Sequence, residues 1–444
     1  MFRTVRDAFK IKEVRDRLLF TLLCLIIVRL GSLLPTPAIN PGYFESWLKD
    51  YNTGLGFLNT LTGGSFEQMS IFALNISPYI TSSIIMQLLT IAIPKLEEIQ
   101  KDGEDGRKKI AEWSRYLTIA LAIIESVAMC IGFGNQGQGL LVGGVTFMNV
   151  LVVTVSFTAG SAFLMWLGEK ITEKGIGNGI SMILLINIVA GLPTDARNLT
   201  AQFITGNSVV KGIISAIVIL VVVVVTVVLV ILLQDGQRKI AVQYAQKVQG
   251  RKSVGGQSTF IPIKVNTAGV IPVIFAMSLM QFPIIISSFF GVTGERSTLW
   301  RKILYLLNQQ NWFNIENFGE FKYTLGALIY ILLIIFFAYF YTAITFNPSE
   351  MANNLKKQSG SIPGIRPGKP TADYLNKVLN YIIFIGAIGL TIVALIPTVF
   401  AGVFGAVVSF GGTSLIIIVG VVLETIKQVE SMMVVRHYKG FLSD

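Results

Sequence analysis

The sequence predicts an all-α membrane protein whose chain crosses the bilayer ten times. Three observations carry this. Of 444 residues, 52% are hydrophobic and only 14% charged, with a mean hydropathy of +0.66, whereas soluble domains carry about 25% charged residues. Apolar segments long enough to cross roughly 30 Å of hydrocarbon recur along the chain. The basic residues between those segments concentrate in alternate loops, which is how membrane proteins set their orientation.

The first apolar segment is 18–34, closed by Arg29-Leu30-Gly31 without a small-residue cleavage site, so it is not a removable signal peptide. Before it, residues 1–17 place Phe2, Val5, Ala8 and Phe9 on one helical face and suit an amphipathic helix at the inner membrane interface. The second segment, 72–93, is unusually polar: Asn75, Ser77, Pro78, Thr81, Ser82, Ser83 and Gln87 make it a poor lipid-facing span. Just before it, GLGFLNTLTGGSFEQMS (54–70) holds a short apolar piece, then Gly63-Gly64 and a polar turn. That pattern fits a re-entrant segment protected by helices, or an exterior loop with one surface helix.

The remaining spans lie near 116–134, 145–168, 179–195, 212–233, 266–291, 323–345, 378–398 and 406–426. The sixth, from Gly212 to Leu233, has no charge and would reach about 33 Å as a helix. On the side that carries both termini there are 28 basic residues, against 7 on the other, with Arg29 inside the first span completing the 36. The termini are therefore expected in the cytoplasm. Each set of five spans begins with a helix and a long loop, 35–71 outside and 234–264 inside. That arrangement points to an inverted-topology repeat with a pathway between the halves. The expected units are the helix 1–17, a first half 18–195, an external loop 196–211, a second half 212–426 and a tail 427–444.

Charge inside the spans is scarce. Arg29 lies near the outer end of its span, where snorkelling to the headgroups is expected. Glu125 lies deeper and calls for a polar partner on another helix. Such scarcity argues against an ion-coupled transporter. Cys24 and Cys130 fall within apolar spans and read as packing residues, and His437 stands alone in the tail. GIGNG at 175–179 has no strand before it and does not read as a phosphate cradle. With no nucleotide loop, metal cluster or paired carboxylates, no cofactor and no enzymatic activity are expected, and the energy for any transport is external.

Two cytoplasmic loops stand out. Loop 234–264 carries Arg238, Lys239, Lys247, Arg251, Lys252 and Lys264 against one acid, Asp235, and its alternation at Ile240, Val242 and Tyr244 predicts an extended arm. In loop 346–377, Gly364 with Pro363, Pro367 and Pro370 holds Arg366 on a stiffened turn. Basic protrusions on one face suit an acidic partner: anionic lipid, RNA or an acidic protein surface. The plainer reading is that they only set orientation.

Six motifs, in order along the chain, carry a family resemblance: FALNISPYI (72–80), GEKITEKGIGNGIS (168–181), GGQSTFIPIKVNTAGVIPVIFA (255–276), NPSEMANNLKK (347–357), PGIRPG (363–368) and GGTSL (411–415). They resemble the bacterial SecY family, the channel-forming subunits of the Sec protein translocase. Asn75 stands where that pattern usually has Gly, and Phe260 where it often has His.

The resemblance implies a clamshell of two inverted five-helix halves hinged beside 196–211, with a funnel on each side of a narrow waist. It makes Ile76, Ile80, Ile180, Leu184, Ile274 and Ile417 the apolar pore ring, and 54–70 a plug containing Phe57, Leu58, Leu61, Gly63 and Gly64. It implies a lateral gate between spans two and seven, with Ser83, Gln87, Glu125 and Asn266 as the polar seam. Arg238, Lys239, Arg251, Lys252 and Arg366 would dock the ribosome and the SecA motor. Further implied partners are the small membrane subunits SecE and SecG, signal peptides, nascent polypeptides and membrane lipid, all at a bacterial plasma membrane. A secondary transporter for a small solute and a membrane insertase are the alternative readings.

Overall fold

A computed structural model describes residues 9–440 except 41, 43–58, 60, 137–140, 202–208, 245–246, 250–251, 255–257, 290–298, 314–322 and 405–411. Every predicted span coincides with a helix: α1 (Lys12–Ser32), α2 (Ser77–Ala92), α4 (Glu104–Gln136), α5 (Phe147–Lys174), α6 (Gly179–Leu199), α7 (Val209–Asp235), α8 (Ile271–Phe289), α10 (Leu325–Thr345), α12 (Lys369–Phe404) and α13 (Gly412–Gly440). Short helices α3 (Pro94–Lys101), α9 (Leu299–Leu307) and α11 (Pro348–Lys357) lie between them. Among the described residues five helical segments are long and apolar enough to cross a bilayer, or six if α2 and α3 form one bent span.

Several boundaries differ from the sequence reading, each for a local reason. α1 already begins at Lys12, so 12–17 belongs to the first span helix rather than to a separate surface helix. Phe2, Val5 and Ala8 lie outside the described residues. The second span starts at Ser77, not at 72, because Asn75 adopts φ +51° and breaks the helix before Pro78 opens α2. It ends at Ala92, since Ile93 before Pro94 is held extended and the axis turns by 107° into α3. α12 starts at Lys369, just after Gly368 at φ +104°, and α13 continues as helix through 427–440, where a tail was expected.

Helix contacts follow this order in space. α2 packs on α4, α4 on α5, α5 on α6, α8 on α10, α10 on α12 and α7 on α13; α13 also packs on α6 and α1, and α4 on α8. α2 meets α4 through a hydroxyl cluster in which Ser82 Oγ donates to the Ser114 carbonyl (2.6 Å) and Thr118 Oγ1 lies 3.0 Å from Ser82 Oγ. The polar stripe of the second span is therefore partly spent on the third.

In the basic loop after α7, β1 (Gln237–Tyr244) is the centre of a three-stranded sheet in the order β4-β1-β5. β4 (Ser258–Lys264) pairs with it antiparallel, Ile240 opposite Ile261. β5 (Gly360–Ser361) comes from the other basic loop and pairs at Gln243 and Tyr244. The alternation seen in the sequence is real: Ile240 and Val242 are buried with Ile263, Leu355, Ile362 and Leu375, while Arg238 and Lys239 are exposed. The remaining hairpin is β2 (Lys247–Gln249) with β3 (Lys252–Val254).

The GIGNG turn joins three helices. The Ile176 N–H donates to Thr21 Oγ1 of α1 (3.0 Å), Gly177 N–H to Gln428 Oε1 of α13 (2.7 Å), and Gly179 N–H to Thr172 Oγ1 of α5 (2.8 Å). Its amides are occupied by side chains, so the turn is a structural junction. Thr21→Val keeps the shape but strands the buried Ile176 N–H, and should destabilise the protein by about 1–3 kcal/mol, read as a lower thermal midpoint in detergent. Ser82→Ala should cost less, about 0.6–1.7 kcal/mol by the range for such bonds in membranes, measured in the same assay.

Candidate functional site

The segment before α2 is folded into the helical body. Leu61, Phe66 and Met69 are buried, which favours the protected re-entrant reading over an exterior loop. The turn closes on itself: Asn59 Nδ2 donates to Glu67 Oε2 (2.8 Å), and the Glu67 N–H returns to Asn59 Oδ1 (3.1 Å). Two backbone bonds strap its far end to the exit of α1, Thr36 N–H to Met69 O (3.2 Å) and Ile71 N–H to Leu34 O (3.0 Å). Phe57 and Leu58 lie outside the described residues.

Two side chains reach this turn from neighbouring segments. Arg29 Nη1 donates to the Gly63 carbonyl (3.2 Å), so the guanidinium is held by the turn rather than snorkelling to headgroups. Asn75 Nδ2 donates to the Leu61 carbonyl (3.0 Å) in a buried position. Gly63, at φ +64°, is pressed against α6: a Cβ there would stand 2.7 Å from the Asn187 carbonyl oxygen. The left-handed backbone of Asn75 accounts for a site where glycine also fits, because asparagine tolerates that region better than other side chains.

The six expected ring residues meet. Ile76, Leu184 and Ile417 are buried in one apolar cluster, and Ile80, Ile180 and Ile274 pack against it. They arrive from the start of α2, the first two turns of α6, from α8 and from α13. Leu61 of the turn belongs to the same cluster. Next to it an open cleft of about 810 Å³ is lined by Ile80, Ile180, Leu184 and Ile274 together with Ser83, Gln87, Arg115 and Glu169. An ion pair, Arg115 Nε to Glu169 Oε1 at 2.8 Å, joins α4 to α5 at this cleft. Sequence reasoning did not pick out that pair.

The expected polar seam is not assembled. Gln87 Nε2 bonds Ser83 Oγ within the same helix (3.4 Å). Asn266 is buried before α8, where a Cβ on Gly386 of α12 would stand 3.8 Å from its Cα, and its Nδ2 has no hydrogen-bond partner. Glu125 is half-buried, and no hydrogen bond or ion pair joins it to Ser83, Gln87 or Asn266. The interhelical bonding of α2 goes instead through Ser82 to Ser114 and Thr118. The i, i+4 pair of hydroxyls on α4 was the available signal for it.

In the two basic loops Arg238, Lys239 and Arg366 are exposed. Arg366 sits on a turn bracketed by Gly364 at φ +82° and Gly368 at φ +104°, and its carbonyl accepts from Thr371 Oγ1 (2.8 Å). The β1–β5 pairing makes the two basic loops one body. Arg251 lies outside the described residues, and Lys252 is placed on β3 by its backbone. Among the described residues no group of three or more His, Cys, Asp or Glu side chains could hold a metal ion.

A family model described as SecY matches residues 70–426. The protein translocase subunit SecY of Halalkalibacterium halodurans is 43% identical over 447 residues, covering all of both chains. That of Bacillus subtilis is 42% identical over 450 residues, again covering both completely. Among solved structures, a protein-conducting channel superposes with a TM-score of 0.61 at 18% identity, covering 94% of this chain and 91% of that one. The Sec61 channel of a canine ribosome–channel complex gives 0.57 at 16% identity, covering 94% and 91%. These structures share the fold, and the match of motifs and relatives over the full length decides the rest: the chain belongs to the SecY family.

Proposed function

We propose that this chain forms the conducting path of a Sec protein translocase in a bacterial plasma membrane, with both termini cytoplasmic. Membership of the SecY family makes it a translocase channel subunit. The observation that carries the finer reading is the meeting of Ile76, Ile80, Ile180, Leu184, Ile274 and Ile417 in one cluster, with Leu61 of the re-entrant turn against it and a polar-mouthed cleft beside it.

A collar of branched aliphatics excludes water when empty, and it widens around a polypeptide without demanding any particular hydrogen bond. Unfolded secretory chains enter from the cleft and pass the collar. The turn containing Leu61, Gly63 and Gly64 acts as the plug on the outer side. Signal peptides leave sideways between α2 and α8, and α4 accompanies α2 because Ser82, Ser114 and Thr118 bond the two helices. The channel performs no chemistry of its own.

Partners follow from the surfaces. The sheet carrying Arg238 and Lys239 and the turn carrying Arg366 form one basic platform, suited to ribosomal RNA phosphate and to the acidic surface of the SecA motor. Arg251 and Lys252 belong to the same loop. Similar folds are known in ribosome-bound channels, the canine Sec61 complex and the yeast Ssh1 complex. SecE and SecG are the small membrane subunits expected beside it.

Protease protection of a secretory precursor in proteoliposomes holding this chain, SecE and SecG tests the reading. With SecA and ATP the wild type should protect the precursor, and Arg366→Glu should abolish protection. Protection that survives Arg366→Glu removes the docking role of that turn. No protection in the wild type, with the motor active on a known channel, returns the chain to the small-solute transporter reading. SecA binding should also weaken as salt rises from 50 to 300 mM, measured by co-flotation with the proteoliposomes.

A further inference from the structure

The turn read as the plug is held differently at its two ends. At the Met69 end the ties are backbone to backbone and run to the chain leaving α1, Thr36 N–H to Met69 O and Ile71 N–H to Leu34 O. At the Leu61–Gly63 end the ties are side chain to backbone. Asn75 Nδ2 holds the Leu61 carbonyl and Arg29 Nη1 the Gly63 carbonyl, while α6 backs Gly63 at Asn187. The first kind is a strap that moves with the segment; the second can let go without unfolding anything.

Asn75 has a further property. It precedes Ile76, which is both the N-cap of α2 and a member of the collar. Its left-handed backbone, φ +51°, sets the point where the incoming chain turns into α2. Any displacement of Ile76 that widens the collar therefore displaces the amide that holds Leu61.

Resting on the channel reading above, we propose that Arg29 and Asn75 are positioning residues that form a two-point latch on the plug, and that widening of the collar at Ile76 releases it through Asn75. The bonded atoms on the plug are main-chain carbonyls, so the latch reads the shape of the turn, not its side chains. Gly63 is required by it, because its backbone is left-handed at φ +64° and a Cβ would stand 2.7 Å from the Asn187 carbonyl oxygen, displacing the turn from Arg29.

The test uses the full chain with its partner subunits in planar bilayers. Ion conductance is recorded when idle and after addition of a synthetic signal peptide. Asn75→Gly accepts the same backbone conformation but lacks the amide donor; Arg29→Lys keeps a cationic donor and Arg29→Leu has none. Losing one latch bond should raise idle conductance roughly threefold to tenfold, leave the peptide-opened conductance unchanged, and speed hydrogen exchange at amides 61–66. Arg29→Lys should stay near the wild type and Arg29→Leu should leak. Wild-type idle conductance and exchange in both Asn75→Gly and Arg29→Leu would overturn the latch. So would exchange raised throughout α2 and α6, which would mark Asn75 as a general fold residue. A wild type that neither opens with peptide nor protects a precursor removes the channel reading, and the latch with it.

Discussion

Inside a bilayer an unpaired backbone N–H or C=O finds no water, and every non-helical stretch at membrane depth has to be satisfied by neighbouring helices. Among the described residues, two non-helical stretches next to spans are served by side chains from the surrounding helices. Residues 59–76 lean on Arg29 and on their own Asn59, Thr62 and Asn75. The turn at 175–179 leans on Thr21, Thr172 and Gln428. The helices are thus tied together through the irregular segments they protect.

The shortness of α2 follows from the same constraint. Asn75 and Pro94 limit it to 16 residues, about 24 Å of helix. A helix that short leaves room before it for the re-entrant turn and places Ile76 and Ile80 in the apolar cluster that also holds Leu61. Its polar face is not wasted: Ser82 bonds α4, while Ser83 and Gln87 line the cleft. A span built only to face lipid would look like α7, whose Ala216–Asp235 window is 11% buried.

The basic loops show how an orientation signal acquires structure. Charge alone would have oriented the helices, yet Ile240 and Val242 bury one edge of loop 234–264, and Gly360 brings the second loop into the same sheet. Arg238, Lys239 and Arg366 consequently project from a fixed platform, which lowers the ordering entropy a partner must overcome on docking.

The sequence by itself indicated the apolar segments that become helices, the extended arm and the six side chains that meet in one apolar cluster. Hydropathy and period-two alternation are local quantities, and the motifs singled out the six. Only the tertiary structure decided who bonds to whom. Arg29 reaches Gly63, 34 positions away, and Ser82 reaches Ser114, 32 positions away, while Asn266 Nδ2, which the family resemblance placed in a seam with Glu125, has no hydrogen-bond partner. A hydrogen bond depends on angstrom-scale placement of two groups on different helices, and that placement is fixed by how glycines, prolines and packed side chains set the helices against one another.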